Sequence, residues 1–172
     1  MKHSGRNLKR RLYGLTLIGN RLSRIRHFRG HGVHSPFVYS LVRKVFMHKG
    51  LLSEENRSLY DALVSLGTPM RRAVELQNCM AYCNYSTFSI DSADCTAEFN
   101  ILTEHYPTAE LKGALSRAAE RGTTIVVMFP YLCRERTNVC QSLIDLHTST
   151  SVDNGGYILF FNNYLPKQHY RL

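Results

Sequence analysis

Seven consecutive residues, Thr123-Thr-Ile-Val-Val-Met-Phe129, are β-branched or apolar, with no polar alternation. A strand of that composition has two apolar faces, so it belongs inside a sheet covered on both sides, as buried parallel strands are. A helical pattern precedes it over Glu110–Arg121 and stops at Gly122, and a second follows over Arg134–His147. Two shorter strand-like runs, Thr87-Phe-Ser-Ile90 and Phe99-Asn-Ile-Leu102, lie upstream. Downstream, Thr148–Val152 and Tyr157–Phe161 flank Asp153-Asn-Gly-Gly156, a hairpin signal. The order predicts an α/β fold: a mostly parallel, Rossmann-like sheet of four or five strands, closed by a C-terminal antiparallel hairpin.

Before the sheet the spacing is helical. Leu8, Leu12, Leu15, Ile18, Leu22 and Ile25 form one stripe, broken at Gly30-His-Gly32. Ser35-Pro36 opens a second helix, with Ser35 as N-cap, that runs to Lys49-Gly50. Ser53 with Glu54 and Glu55 predicts a third, carrying Leu59, Leu63 and Leu66 to Gly67, and Pro69 starts a fourth through Ala81. These helices suggest a division into a basic helical arm over 1–50 and the rest of the chain over 51–172.

Charge separates the same regions. Of 22 Lys and Arg residues, 12 fall in positions 1–53, where there is no acid; the other 119 residues carry 10 basic and 13 acidic groups, a net of −3. The overall +9 is therefore a property of the first third. An amphipathic basic helix there suits a polyanion, either nucleic acid or an acidic lipid surface, along residues 2–49. The plainer reading is a helix docked on its own fold with a solvated basic face. The apolar stretch Leu12–Ile18 is interrupted by Gly14 and runs into Arg21 without a small-residue cleavage site, so no secretory leader is expected. The five Cys are then expected as reduced thiols in a cytoplasmic protein.

Several residues are candidates for chemistry. Arg29, His31, His34 and Ser35 surround two glycines and a helix N-terminus, an arrangement suited to an anion; the alternative is a capping turn. Two His without a third ligand make no metal site, and none is expected. Cys79 and Cys83 share one side of a helix, but the spacing is not that of a zinc knuckle, and they read as buried thiols. Asp91, Glu104-His105 and Pro130-Tyr131 each follow a strand, so they converge on the rim where α/β sheets bind ligands. Glu104 and His105 could serve there as an acid/base pair, or cap the next helix, for which Thr108 is the better cap. The loop after Ile90, Asp91-Ser-Ala-Asp-Cys-Thr96, has no glycine to let backbone approach a cofactor.

The segment His31-Gly-Val-His-Ser-Pro-Phe-Val38, followed by Leu41-Val42, resembles the N-terminal motif of a group of Bacteroidetes proteins with the class I S-adenosylmethionine-dependent methyltransferase fold. The hairpin to Phe161 and the segment Lys167-Gln-His-Tyr-Arg171 resemble that family's last strands, and Phe99–His105 and Thr123–Pro130 its fourth and fifth. The resemblance implies a Rossmann-like domain, with Asp91 in the place of the acid that ends the family's first strand. It also implies a loss. The glycine-containing loop is absent, and the chain passes almost directly from Asp91 to Phe99, omitting the strands that supply the adenosine-binding acid. The expectation is a remnant of the fold, without S-adenosylmethionine, that acts by binding. The alternative is a working methyltransferase using Asp91, Glu104 and His105. An open sheet edge makes a homodimer a further expectation.

Overall fold

The computed structural model describes residues 35–163 and 165–172. The expected helix over 8–26, the Gly30–Gly32 break and the candidates Arg29, His31 and His34 lie outside them. By their contacts the described residues form two compact units, 35–88 and 89–172.

The first unit is helical. Helix α1 spans Pro36–Leu41, with Ser35 extended at the cap and its Oγ accepting from Val38 N at 3.4 Å. The helix continues into one wide turn over Val42–Phe46, closed by Met47 N donating to Val42 O at 3.0 Å. It therefore ends before Lys49-Gly50. Helix α2 is Ser58–Ser65 and α3 is Met70–Tyr82. The expected start of α2 at Ser53 is corrected: Ser53 Oγ accepts from Glu55 N in a local turn, and the chain before it is held by a buried side chain of α3. Asn78 Oδ1 accepts from Leu52 N and its Nδ2 donates to Gly50 O, each at 2.8 Å. Gln77 Oε1 accepts from Tyr60 N, and Glu75 takes Arg72 at 2.6 Å and Arg71 at 3.0 Å. Three buried polar residues on one helix are thus all partnered, as burial requires.

The second unit carries a six-stranded mixed sheet in the order β1-β2-β3-β5-β4-β6. The strands are β1 Phe88–Ile90, β2 Phe99–Leu102, β3 Thr124–Met128, β4 Thr150–Asp153, β5 Tyr157–Phe160 and β6 Gln168–Arg171. β2 and β3 pair in parallel, β5 is antiparallel to both β3 and β4, and β4 pairs in parallel with β6. So β2, β3, β4 and β6 run one way and β5 alone of these five runs back. This is the expected Rossmann-like α/β arrangement with its closing antiparallel pair, and it has more strands than the four or five expected, because β6 adds to the edge beside β4. Helices α4 (Leu111–Arg121) and α5 (Arg134–Leu146) follow β2 and β3. A turn of 3-10 helix over Thr108–Glu110 leads into α4, so Thr108 is not its cap.

All five residues of β3 are buried, as its composition demands. Ile125 and Val127 join Leu102, Leu115, Leu143 and Phe160 in one core cluster. Gly122 ends α4 in the left-handed conformation, φ +67, and Thr123 N then reaches back to Ala118 O at 3.0 Å. At the hairpin, Asp153 Oδ1 accepts from Gly155 N at 2.8 Å, and Asn154 Oδ1 from Gly156 N at 3.2 Å. Among the described residues no helix is long and apolar enough to cross a membrane.

Candidate functional site

β2, β3 and β4 finish on the same rim, and the residues there are held chiefly by hydrogen bonds to one another. Asp91, directly after β1, adopts a left-handed backbone, φ +52, a conformation that Asp tolerates better than most residues. Its N–H donates to Ile101 O at 2.8 Å. Its carboxylate takes both donors of Thr103, the backbone N–H on Oδ1 and the hydroxyl on Oδ2, each at 2.6 Å. Asp91 thus clamps the ends of β1 and β2. The link that follows bends through a second left-handed residue, Cys95, φ +49. Arg117 Nε donates to Ala93 O at 2.7 Å, and Arg121 donates to Asp94 O, so α4 ties this loop down.

Thr103 Oγ1 also accepts from His105 N at 3.2 Å. The Glu104 side chain is half-buried and His105 is exposed. Among the described residues no hydrogen bond joins the two side chains to each other or to Asp91. The rim brings the three candidates near Thr103 without coupling them. Ser35, the one described residue of the anion candidate, has its Oγ engaged as the cap of α1.

A residue that sequence reasoning passed over lies beneath this rim. Arg136, in the first turn of α5, is 1% exposed. Its guanidinium donates to Thr103 O at 2.8 Å, to Met128 O at 3.1 and 3.3 Å, to Tyr106 O at 3.2 Å and to Thr108 Oγ1 at 3.5 Å. It therefore joins the ends of β2 and β3 to the segment between β2 and α4. Burial pulls its pKa below the usual arginine value, while the fields of Cys140, Cys133, Asp91 and Glu104 oppose that pull. Next along the rim, Phe129 ends β3 at φ +49 and donates to Gly156 O at 2.8 Å. The Tyr131 hydroxyl donates to the buried carboxylate of Asp153 at the end of β4.

The opposite end of the sheet is different. His147, between α5 and β4, is 3% exposed, and its Nε2 has no hydrogen-bond partner among the described residues. Burial holds its pKa below the ordinary histidine value, against hydrogen bonds to the backbone of Phe161 and Thr150. Its ring meets Phe160 edge-on at 5.2 Å. His147 also borders a groove of about 270 Å³ between α4 and α5, with Leu115, Ala119, Leu143 and Leu146 on its apolar side and Lys112 and Ser116 among its polar ones. Among the described residues no group of three or more His, Cys, Asp or Glu is placed to hold a metal ion.

No protein-family model matches the chain, and neither does any curated protein or solved structure.

Proposed function

We propose that the chain is a reduced relative of the class I methyltransferase fold that does not bind S-adenosylmethionine and acts through binding. The observation that carries this reading is the state of Asp91. A cofactor-binding acid has to offer its oxygens to a ligand, and both oxygens of Asp91 accept from Thr103 at 2.6 Å. Two further features support it. The loop from Asp91 to Thr96 has no glycine and contains two non-glycine residues in the left-handed region, which leaves side chains where a cofactor needs bare backbone. Among the described residues β1 has β2 as its only neighbour in the sheet, so no strand beyond it offers an acid to a ribose. The residues present do not fit the methionine-adenosine group.

The chemistry left for binding is that of the basic first third, which suits a polyanion such as nucleic acid or an acidic lipid surface. Calorimetry tests both halves of this reading. S-adenosylmethionine at millimolar concentration gives no heat, while an RNA oligonucleotide or anionic vesicles bind with an affinity that falls steeply with salt. Micromolar binding of S-adenosylmethionine overturns the first half, and salt-independent or absent polyanion binding overturns the second.

A further inference from the structure

The sheet of the second unit is apolar on both faces, and its own helices cover one of them. Ile125, Val127, Ile158 and Phe160 share one core cluster with Leu115 of α4 and Leu143 of α5. Successive residues of a strand point to opposite faces, so the residues between these belong to the other face. The register aligns them in a row across four strands: Ile101 of β2, Val126 of β3, Leu159 of β5 and Val152 of β4. Met128 and Tyr157 stand beside that row. All six are fully buried within a single chain, so the cover over this second face comes from the chain itself and not from another copy. None of the six joins the cluster of α4 and α5. The stripe Leu8, Leu12, Leu15, Ile18, Leu22 and Ile25 lies outside the described residues, and an apolar stripe of that kind needs a surface to bury against.

We propose that this stripe packs on the second face of the sheet, over the central strands β3 and β5, and that the basic side chains on the far side of the segment bind a nucleic-acid backbone. A helix is about 10 Å across and strands lie about 4.8 Å apart, so one helix covers about two strands. At 3.6 residues per turn, Lys9, Arg10, Arg21 and Arg24 fall more than a quarter turn from the centre of the stripe, and Arg11 and Arg26 flank it. Positions 1–53 hold no acid to neutralise them. This use of the basic side rests on the polyanion reading above and narrows it to nucleic acid. An amphipathic segment holds an acidic membrane by burying its apolar face below the headgroups. A stripe already seated on the sheet cannot do so. What remains is a set of cations at fixed spacing, which suits phosphates repeated along a nucleic-acid strand.

The test uses the full chain. In the native protein, amides over 8–25 exchange hydrogen at least about a hundredfold more slowly than an unstructured chain. Leu15→Asp lifts the stripe and opens Met128 to oxidation by hydrogen peroxide, while Cys140, buried on the other face, stays closed to maleimide. Exposed Met70 oxidises in both proteins and serves as the control. An RNA oligonucleotide binds the native protein with a steep salt dependence, and the double variant Arg10→Glu, Arg24→Glu weakens it about tenfold or more and lowers the salt slope by about two. The chain has no Trp, so Leu15→Trp carries a single reporter, whose emission stays unquenched on phosphatidylserine vesicles with brominated chains. Unprotected amides over 8–25, or a Met128 that stays closed in folded Leu15→Asp, overturn the docking and leave salt-dependent RNA binding to stand by itself. Quenching by the brominated lipid overturns the choice of nucleic acid in favour of a membrane. Protected amides with no salt-dependent binding of RNA or vesicles overturn the polyanion reading itself. The exchange measurement needs no variant, so it decides the docking even if Leu15→Asp fails to fold.

Discussion

At the end of the sheet where β2, β3 and β4 finish, the polar groups around the loops are engaged by the protein's own atoms: Asp91 by Thr103, Arg136 by the carbonyls of Thr103, Tyr106 and Met128, Asp153 by Tyr131 and Gly155. At the end where β4 begins, His147 is buried with Nε2 unsatisfied beside an open groove. In open α/β sheets the first of these ends is the usual ligand site. Here its carboxylates and strand-end carbonyls are internally satisfied, and only the buried Tyr106 hydroxyl is left without a hydrogen-bond partner among the described residues, as His147 Nε2 is at the other end. The donors and acceptors at that rim cap strand ends and loops.

Arg136 gives the largest way to break this contrast. Arg136→Met keeps an unbranched side chain but strands the buried carbonyls of Tyr106 and Met128 and leaves Thr103 O with Tyr106 N alone, at 3.3 Å. Each unsatisfied buried acceptor costs on the order of 1–3 kcal/mol, so the variant is expected to lose about 3 kcal/mol or more. Chemical denaturation measures it. A loss under about 1 kcal/mol would mean that water already reaches those carbonyls and that the rim is open after all.

Asp91 gives the next. Asp91→Ala removes both bonds to Thr103 and places a Cβ-bearing residue without a side-chain acceptor at φ +52, for an expected cost of about 2 kcal/mol. Asp91→Asn keeps one acceptor oxygen and the tolerance of the left-handed region, and about 1 kcal/mol is expected. Asp91→Gly separates the two causes, because it loses the bonds but relieves the backbone. If the glycine variant matches the native protein, the clamp contributes nothing, and the carboxylate is available for a ligand.

Much of this sheet was legible because its signals are local. The buried run of β3, the Gly122 stop after α4 and the Asp153-Asn-Gly-Gly156 turn each depend on residues within a few positions. The clamp was not, since Asp91 and Thr103 stand twelve residues apart and meet only once β1 and β2 are in register. Arg136 was still less so. It differs from exposed Arg134 by two positions on one helix, and the carbonyls that receive it come from two strand ends and the segment before α4. The late start of α2 has the same origin, in Asn78 of the next helix holding Gly50 and Leu52.

His147 offers the smallest effect and the finest test of the contrast, because it acts only in acid. Its folded pKa lies below the ordinary value of 6.5, with burial as the main cause. In the unfolded chain the imidazole binds its proton as pH falls through 6.5, while the folded protein does not yet bind one. Stability from this group is therefore intact above the unfolded value. It declines below it, with a slope of up to about 1.4 kcal/mol per pH unit, and levels off once the folded ring protonates. The other histidines titrate as well, so the readout is the difference between native protein and His147→Gln, compared by denaturation from about pH 8 to about pH 5. The native protein should lose more stability than the variant over the acid half of that range. Equal losses would mean that water reaches Nε2 through the groove, and the two ends of the sheet would then differ in shape but not in the demand of their buried polar groups.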